Sequence, residues 1–357
     1  MSANRGGSVL FLVATLFSGQ ATLAEQPKVS WSGFLRAAYS QSDIADPAYM
    51  GRIDKFGDFG DSHFGLNLSA VMNDKWSLAG QLFAAGREEN YNMVLDWAYA
   101  TYHLNSEASF SFGKIKYPGL LLSEVVDIGI VYPWVRPPDE VYNFEVLGPN
   151  ISVESFSGAR ATYAKIAGDI EYLVEAFAGA VEVEDADLDQ MLGARAGVTW
   201  GPVTAQVTHT RSRISLKGTS EREGSLDEQR QESTAAGLSV DWNNIVVYTE
   251  YVDASVNDNP EVDQTAWYAT LGYRIGDFLP HITSAEFEQE NKLAQESLTV
   301  GLKYTVNPST TIKFDWQRVE PTERVDDEPT ENPAGFFEEM PDESKVKLYS
   351  IALDVVF

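Results

Sequence analysis

Thr311-Ile312-Lys313-Phe314-Asp315-Trp316-Gln317 alternates polar and apolar residues without a break. Successive side chains of a strand point to opposite faces, so Ile312, Phe314 and Trp316 share one face. Lys313, Asp315 and Gln317 share the other. The stretches 297–304 (SLTVGLKY) and 65–70 (GLNLSA) repeat the pattern. Helical periodicity is weak beyond the N-terminus. Reading outward from these stretches gives sixteen strands: 31–39, 62–71, 75–84, 93–104, 108–116, 154–166, 169–180, 190–200, 203–213, 233–242, 245–254, 264–275, 279–289, 295–305, 309–319 and 346–357.

The connections alternate in length. Asn73-Asp74, Asn105-Ser106-Glu107, Gly168-Asp169, Gly201-Pro202, Asn243-Asn244, Gly276-Asp277 and Asn307-Pro308 carry tight-turn chemistry. Between them lie long connections at 40–61, 85–92, 117–153, 181–189, 214–232, 255–263, 290–294 and 320–345. Short turns at one rim, long loops at the other and an even strand number describe a transmembrane antiparallel β-barrel, which turns its apolar rows outward to lipid. Trp76, Phe110, Tyr163, Trp200, Trp242, Phe278 and Tyr304 gather near the short turns. Tyr39, Tyr251, Trp267, Trp316 and Tyr349 gather nearer the long loops. Two such bands are the girdles expected at the two lipid–water boundaries.

Composition narrows the function. The chain of 357 residues has 26 Lys and Arg against 53 Asp and Glu, a formal charge of −27. That argues against a nucleic-acid partner, which requires a basic face. The absence of Cys excludes a disulfide framework, a thiolate zinc site and a Cys nucleophile. The four His, at 63, 103, 209 and 281, form no local metal motif, so neither metal nor cofactor is expected. Residues 1–24 read as an export signal: Arg5, then an apolar run from Val9 to Phe17, then Thr22-Leu23-Ala24 as a cleavage site. No later run of eighteen apolar residues offers a transmembrane helix.

The last strand carries Tyr349, Ile351, Leu353, Val355 and the terminal Phe357 in one apolar row. This resembles the C-terminal signature of Gram-negative outer-membrane proteins, which implies recognition by the barrel-assembly machinery. The stretches Phe112-Gly113-Lys114-Ile115-Lys116-Tyr117-Pro118-Gly119 and 127–142 (DIGIVYPWVRPPDEVY) look like a group of proteobacterial porins. Gly113, Lys116 and Pro118 are similar to the opening of the third loop in phosphate-selective porins. Gly119 stands where those carry a bulky apolar residue, so anion specificity does not carry over. The resemblance implies a third loop folded into the barrel, a homotrimer in outer-membrane lipid and lipopolysaccharide, and passive diffusion of small hydrophilic solutes.

The third loop, 117–153, holds Leu120 to Leu122, Val125, Val126, Ile128, Ile130, Val131 and Trp134, too apolar to extend into water. Glu124, Asp127, Asp139, Glu140 and Glu145, with Arg136, are its candidate constriction residues. Pro133, Pro137 and Pro138 stiffen it. A loop packed over the rim or against another subunit is the alternative. By strand parity Arg36, Asp96, Arg160, Glu171, Glu175, Arg195, Glu250, Arg274, Glu286, Lys303, Lys313, Asp315 and Asp354 face the lumen. The set carries both signs: its bases opposing an acidic loop would create a transverse field, and simple solvation of a wet lumen is the alternative, while the acidic mouth favours cations mildly.

The acids of 181–189 and 320–344 read as solvated loop faces, with divalent-cation binding beside lipopolysaccharide as the functional alternative. A hydrolase would need Ser and His brought together, and His103/Ser106 and His209/Ser212 are poorly spaced for it. No Gly-x-Ser-x-Gly elbow occurs. A substrate-selective channel and a non-conducting adhesin or structural barrel stay open as alternatives.

Overall fold

The computed structural model describes residues 27–86, 91–143, 154–182, 186–216, 228–257, 260, 263–289, 292–322, 335–337 and 339–357. The expected export signal at 1–24 lies outside them. Sixteen strands form one closed antiparallel barrel. They are β1 (Lys28–Ser42), β2 (His63–Val71), β3 (Trp76–Ala85), β4 (Val94–His103), β5 (Ala108–Lys116), β6 (Ser155–Ala167), β7 (Ile170–Glu182) and β8 (Ala186–Trp200). The circuit continues with β9 (Val203–Leu216), β10 (Arg230–Trp242), β11 (Ile245–Val256), β12 (Gln264–Tyr273), β13 (Phe278–Gln289), β14 (Lys292–Asn307), β15 (Thr310–Pro321) and β16 (Val346–Val356). Each expected strand has its counterpart.

Strand ends at the short turns fall close to their expected places. Those at the long-loop rim extend further, as in β8, β9 and β10. There the ladder continues above the apolar rows, where polar residues on both faces hide the period-two signal. The left-handed φ values of Gly168, Gly201, Asn243 and Gly276 (63°, 55°, 55° and 60°) explain the residue types of four short turns.

The barrel closes where β1 meets β16, with Arg36 opposite Asp354 and Phe34 opposite Val356. Gly33 N–H donates to Phe357 O at 2.8 Å. A Cβ on Gly33 would lie 2.5 Å from the Phe357 ring, so this glycine makes room for the terminal aromatic. Along β15, Ile312 and Phe314 are exposed while Lys313, Asp315 and Gln317 are buried. Exposed apolar rows and buried polar rows invert the pattern of a soluble sheet, as a lipid-facing wall requires. Trp76, Phe110, Tyr163, Trp200, Trp242 and Phe278 are all exposed near the short turns.

Glu286 departs from its expected place. Phe278, Pro280, Ile282 and Ser284 are outward on β13, and Glu286 continues their row, accepting from Trp267 Nε1 at 3.1 Å. Phe287 takes the inward place and stacks on Phe336. The rule that sends charge inward holds only within the apolar band, and Glu286 lies above it.

Candidate functional site

The third loop begins at the end of β5 and is described through residue 143. It contains a 3-10 turn at Gly129–Val131 and a short helix, α1 (Asp139–Tyr142). Leu121, Leu122, Tyr132, Trp134 and Val141 are buried in one apolar cluster with Val252, Ala266, Tyr268, Ala285 and Phe287 of β11 to β13. Burial of these side chains against the barrel wall is the main force holding the loop. Trp134 lies edge-on to Tyr248 and Tyr268, and its Nε1 donates to Thr283 Oγ1 at 2.7 Å.

Charged wall residues bind the loop directly. Lys313 is completely buried and donates to the carbonyls of Gly129 and Trp134, the latter at 2.7 Å. Its Nζ lies 3.2 Å from Asp354 Oδ2. Lys303 donates to Ile130 O at 2.5 Å. Arg36 Nη1 donates to Val135 O at 2.7 Å while its Nε pairs with Asp354 at 2.6 Å. Val135 N–H in turn donates to Asp315 Oδ2 at 2.7 Å. A buried ammonium is tolerable only when its hydrogens find such acceptors. The carbonyls of Ile130, Trp134 and Val135, which accept from no backbone N–H of a helix or ladder, are the matching need.

The acids of the loop are paired as closely. Glu124 accepts from Arg160 at 2.8 Å and from Arg195 at 2.7 Å. Both arginines also reach Glu175. Burial would push the Glu124 carboxyl up, but the attraction of Arg195 and then Arg160 outweighs it and holds it down to about 2. Asp127 pairs with Lys116 at 2.8 Å, and Lys116 also reaches Asp96 at 3.2 Å. Arg136 lies 3.1 Å from Asp61 and 3.5 Å from Asp139. Glu140 accepts from Gln295 at 2.8 Å, and burial followed by repulsion from Asp139 raises its carboxyl above the usual range. Glu145 lies outside the described residues.

The expected geometry of opposed charges therefore takes another form: Glu124 and Asp127 touch their basic partners and do not face them across a gap. Two participants carried no sequence signal of their role. Glu250 of β11 is buried and accepts from Leu121 N–H at 2.7 Å, from Tyr142 Oη and from Tyr268 Oη at 2.8 Å. Tyr49, from the first long connection, donates to Asp139 Oδ2 at 3.1 Å and packs on Phe337.

A cavity of about 240 Å³ remains beside the loop. Tyr117, Val126, Asp127, Tyr132, Arg136 and Asp139 border it from the loop. Thr208, Thr210 and Ser212 of β9, with Gln231 and Ser233 of β10, border it from the wall. This uncharged row was legible as Thr208-His209-Thr210-Arg211-Ser212, a strand with hydroxyls on its inner face, but a search for charge passes over it.

His209 is exposed on the outer face, and Ser212 is buried on the opposite one. His103 Nε2 lies 3.1 Å from Ser77 Oγ, away from Ser106. Among the described residues no group of three or more His, Asp or Glu is placed to hold a metal ion.

No curated relative matches the chain. Its barrel is similar to the anion-selective porin of Comamonas acidovorans (TM-score 0.66, 9% identity, covering 93% of this chain and 100% of that one). It is also similar to OmpF of Salmonella typhi in complex with daunomycin (TM-score 0.61, 12% identity, 92% and 97% covered). A third is the trimer form of OmpT, an outer membrane protein of Vibrio cholerae (TM-score 0.59, 15% identity, 93% and 100% covered). At these identities the likeness is one of fold. A family model described as Gram-negative porin matches residues 9–331, so the chain belongs to the Gram-negative porins and is a protein of the outer membrane.

Proposed function

We propose that the protein is a water-filled diffusion channel in which residues 117–143 fold into the barrel and narrow it. The supporting observation is the set of bonds from this segment to inward side chains of β1, β6, β8, β11, β13, β14 and β15. A loop bound to so many strands of a closed barrel lies across its interior. It leaves the cavity on the β9–β10 side as the path for small hydrophilic solutes.

Four acids border this cavity, Asp61, Asp127, Asp139 and Glu154, against Arg36 and Arg136. The imbalance supports a mild cation preference through the raised local concentration of counter-ions. No catalytic constellation and no cofactor enter this reading. The working unit is a homotrimer in lipid and lipopolysaccharide, delivered by the barrel-assembly machinery through Phe357. Single-channel recording of the refolded protein under a salt gradient tests the reading. Stable steps in multiples of three with a cation-favouring reversal potential are expected; silence from demonstrably folded protein would contradict it.

A further inference from the structure

The cavity beside the third loop has two unlike sides. On the loop side Asp61, Asp127, Asp139 and Glu154 border it with Arg36 and Arg136. Of the groups paired behind them, Asp58, Asp96 and Asp354 are offset by Arg52, Lys116 and Lys313, so the acid excess belongs to the border itself. On the wall side, from β8 to β11, every bordering residue is uncharged, and hydroxyl and aliphatic groups lie side by side. Thr210, Ser233 and Ala254 follow one another at one level of the ladder. Thr208, Ala235 and Val252 do so at the next level down. Their inward direction follows from the exposed outer alternates Val207, Leu238 and Tyr251.

A bulge in β8 adds to the apolar share of this wall. The register shifts between Asp189 and Leu192, and Gln190 takes a left-handed φ of 53°. That conformation is unfavourable for glutamine. The extra residue reverses the parity of the strand, leaving Gln190 exposed and Met191 buried in one apolar cluster with Leu188 and Ile214. Regular pairing above Leu188 would have put the amide of Gln190 on the inner face. The strand instead presents a thioether to the cavity, which Met191 borders with Leu188.

Building on the channel proposed above, we infer that its preferred solutes are small organic ammonium ions that carry an apolar body. The ammonium follows the acids of the loop side, to which its N–H groups donate charge-assisted bonds. The body slides on Met191, Val252 and Ala254 of the wall, where its carbon replaces water against aliphatic groups. A polyhydroxylated cation of the same size leaves those groups wet. An organic carboxylate is turned away by the acid excess.

The test uses the refolded full-length protein in planar bilayers and two isosteric cations. These are 1-ethylpropylammonium and 1,3-dihydroxy-2-propylammonium, which differ only in methyl against hydroxyl groups; 2-ethylbutanoate is the matching anion. Reversal potentials with potassium on the opposite side give the permeability ratios. The ethylpropyl cation should pass about threefold or more faster than the dihydroxy cation. Met191→Gln with Val252→Thr and Ala254→Ser makes the wall polar at nearly constant volume and should bring that ratio close to one. A ratio of one in a wild type that conducts potassium would overturn the solute assignment and leave the channel standing. So would a permeability for 2-ethylbutanoate above that of both cations, or a triple variant that keeps the wild-type ratio. A folded wild type silent in potassium chloride would contradict the channel itself, and the solute assignment with it. Heat-modifiable electrophoretic migration reports folding. Should the triple variant fail to fold, Val252→Thr alone must lower the ratio, or the assignment falls.

Discussion

The inner wall of the barrel has two unlike arcs. From β13 around to β1 it carries Lys303, Lys313, Asp315, Asp354 and Arg36, and these charges bond to the third loop or to one another. Across β9 and β10 it carries Thr208, Thr210, Ser212 and Ser233 beside the cavity, uncharged groups of which Thr208 and Thr210 bond only to the loop's first two residues, Pro118 and Tyr117. In the proposed channel the first arc is the seat of the loop, and the second is the surface that solutes pass. The lesson is that inward charge in a barrel does not by itself mark the ion path. A charge with a loop carbonyl or a counter-charge against it is a fastening, and modest uncharged groups can form the conducting face.

Loosening the seat should have the largest effect. Lys313→Met with Asp315→Asn removes the donor to Gly129 and Trp134 and weakens the acceptor of Val135. Breaking a buried pair costs about 3–5 kcal/mol. Conductance should rise severalfold with added open-channel noise, and the thermal transition of the barrel should fall. An unchanged conductance would mean that this contact does not hold the constriction.

A smaller effect is expected between the two arcs, on β5 to β8. Glu124→Gln with Asp127→Asn leaves Arg160, Arg195 and Lys116 without loop partners. The reversal potential under a salt gradient should move toward anions. No movement would exclude both acids from the constriction.

Acid should act on the same contact. The Glu124 carboxyl is held down to about 2 in the folded protein, below its ordinary 4.5. The stabilisation is therefore complete above the ordinary value and is lost as pH falls from about 4.5 toward 2. At about 1.4 kcal/mol per unit it amounts to roughly 3 kcal/mol, enough to change loop order. Current noise recorded from pH 6 to 3 should increase in the wild type and much less in the Glu124→Gln variant.

The mildest change belongs to the open arc. Thr210→Val removes a hydroxyl that accepts from Tyr117 Oη at 2.9 Å. It should cost about 1 kcal/mol or less in stability and alter conductance by only tens of per cent. A severalfold change would show that the hydroxyl row controls passage more than the loop does.

The fold was legible because lipid outside and polar groups inside impose one period over every strand. Turn residues such as Gly168, Gly201 and Asn243 supplied the punctuation. The third loop was legible as an element through its apolar run from Leu120 to Trp134. Its seat was not. Alternation assigns Lys313 and Thr210 alike to the inner face, and nothing in that period says which arc a loop will cover. Glu250 was recognised as inward but not as the acceptor of Leu121, because its partners come from 129, 108 and 18 residues away. Glu286 was misplaced because the preference of charge for the lumen ends where headgroups begin.

The absence of cysteine makes the central claim directly measurable. Single cysteines would be introduced as Ser233→Cys on the open arc and Thr283→Cys beneath Trp134, and challenged with a charged, membrane-impermeant thiol reagent during single-channel recording. A stepwise fall in current is expected for Ser233→Cys and none for Thr283→Cys. Equal and rapid modification of both, or of Thr283→Cys alone, would contradict a loop seated on the β13-to-β1 arc.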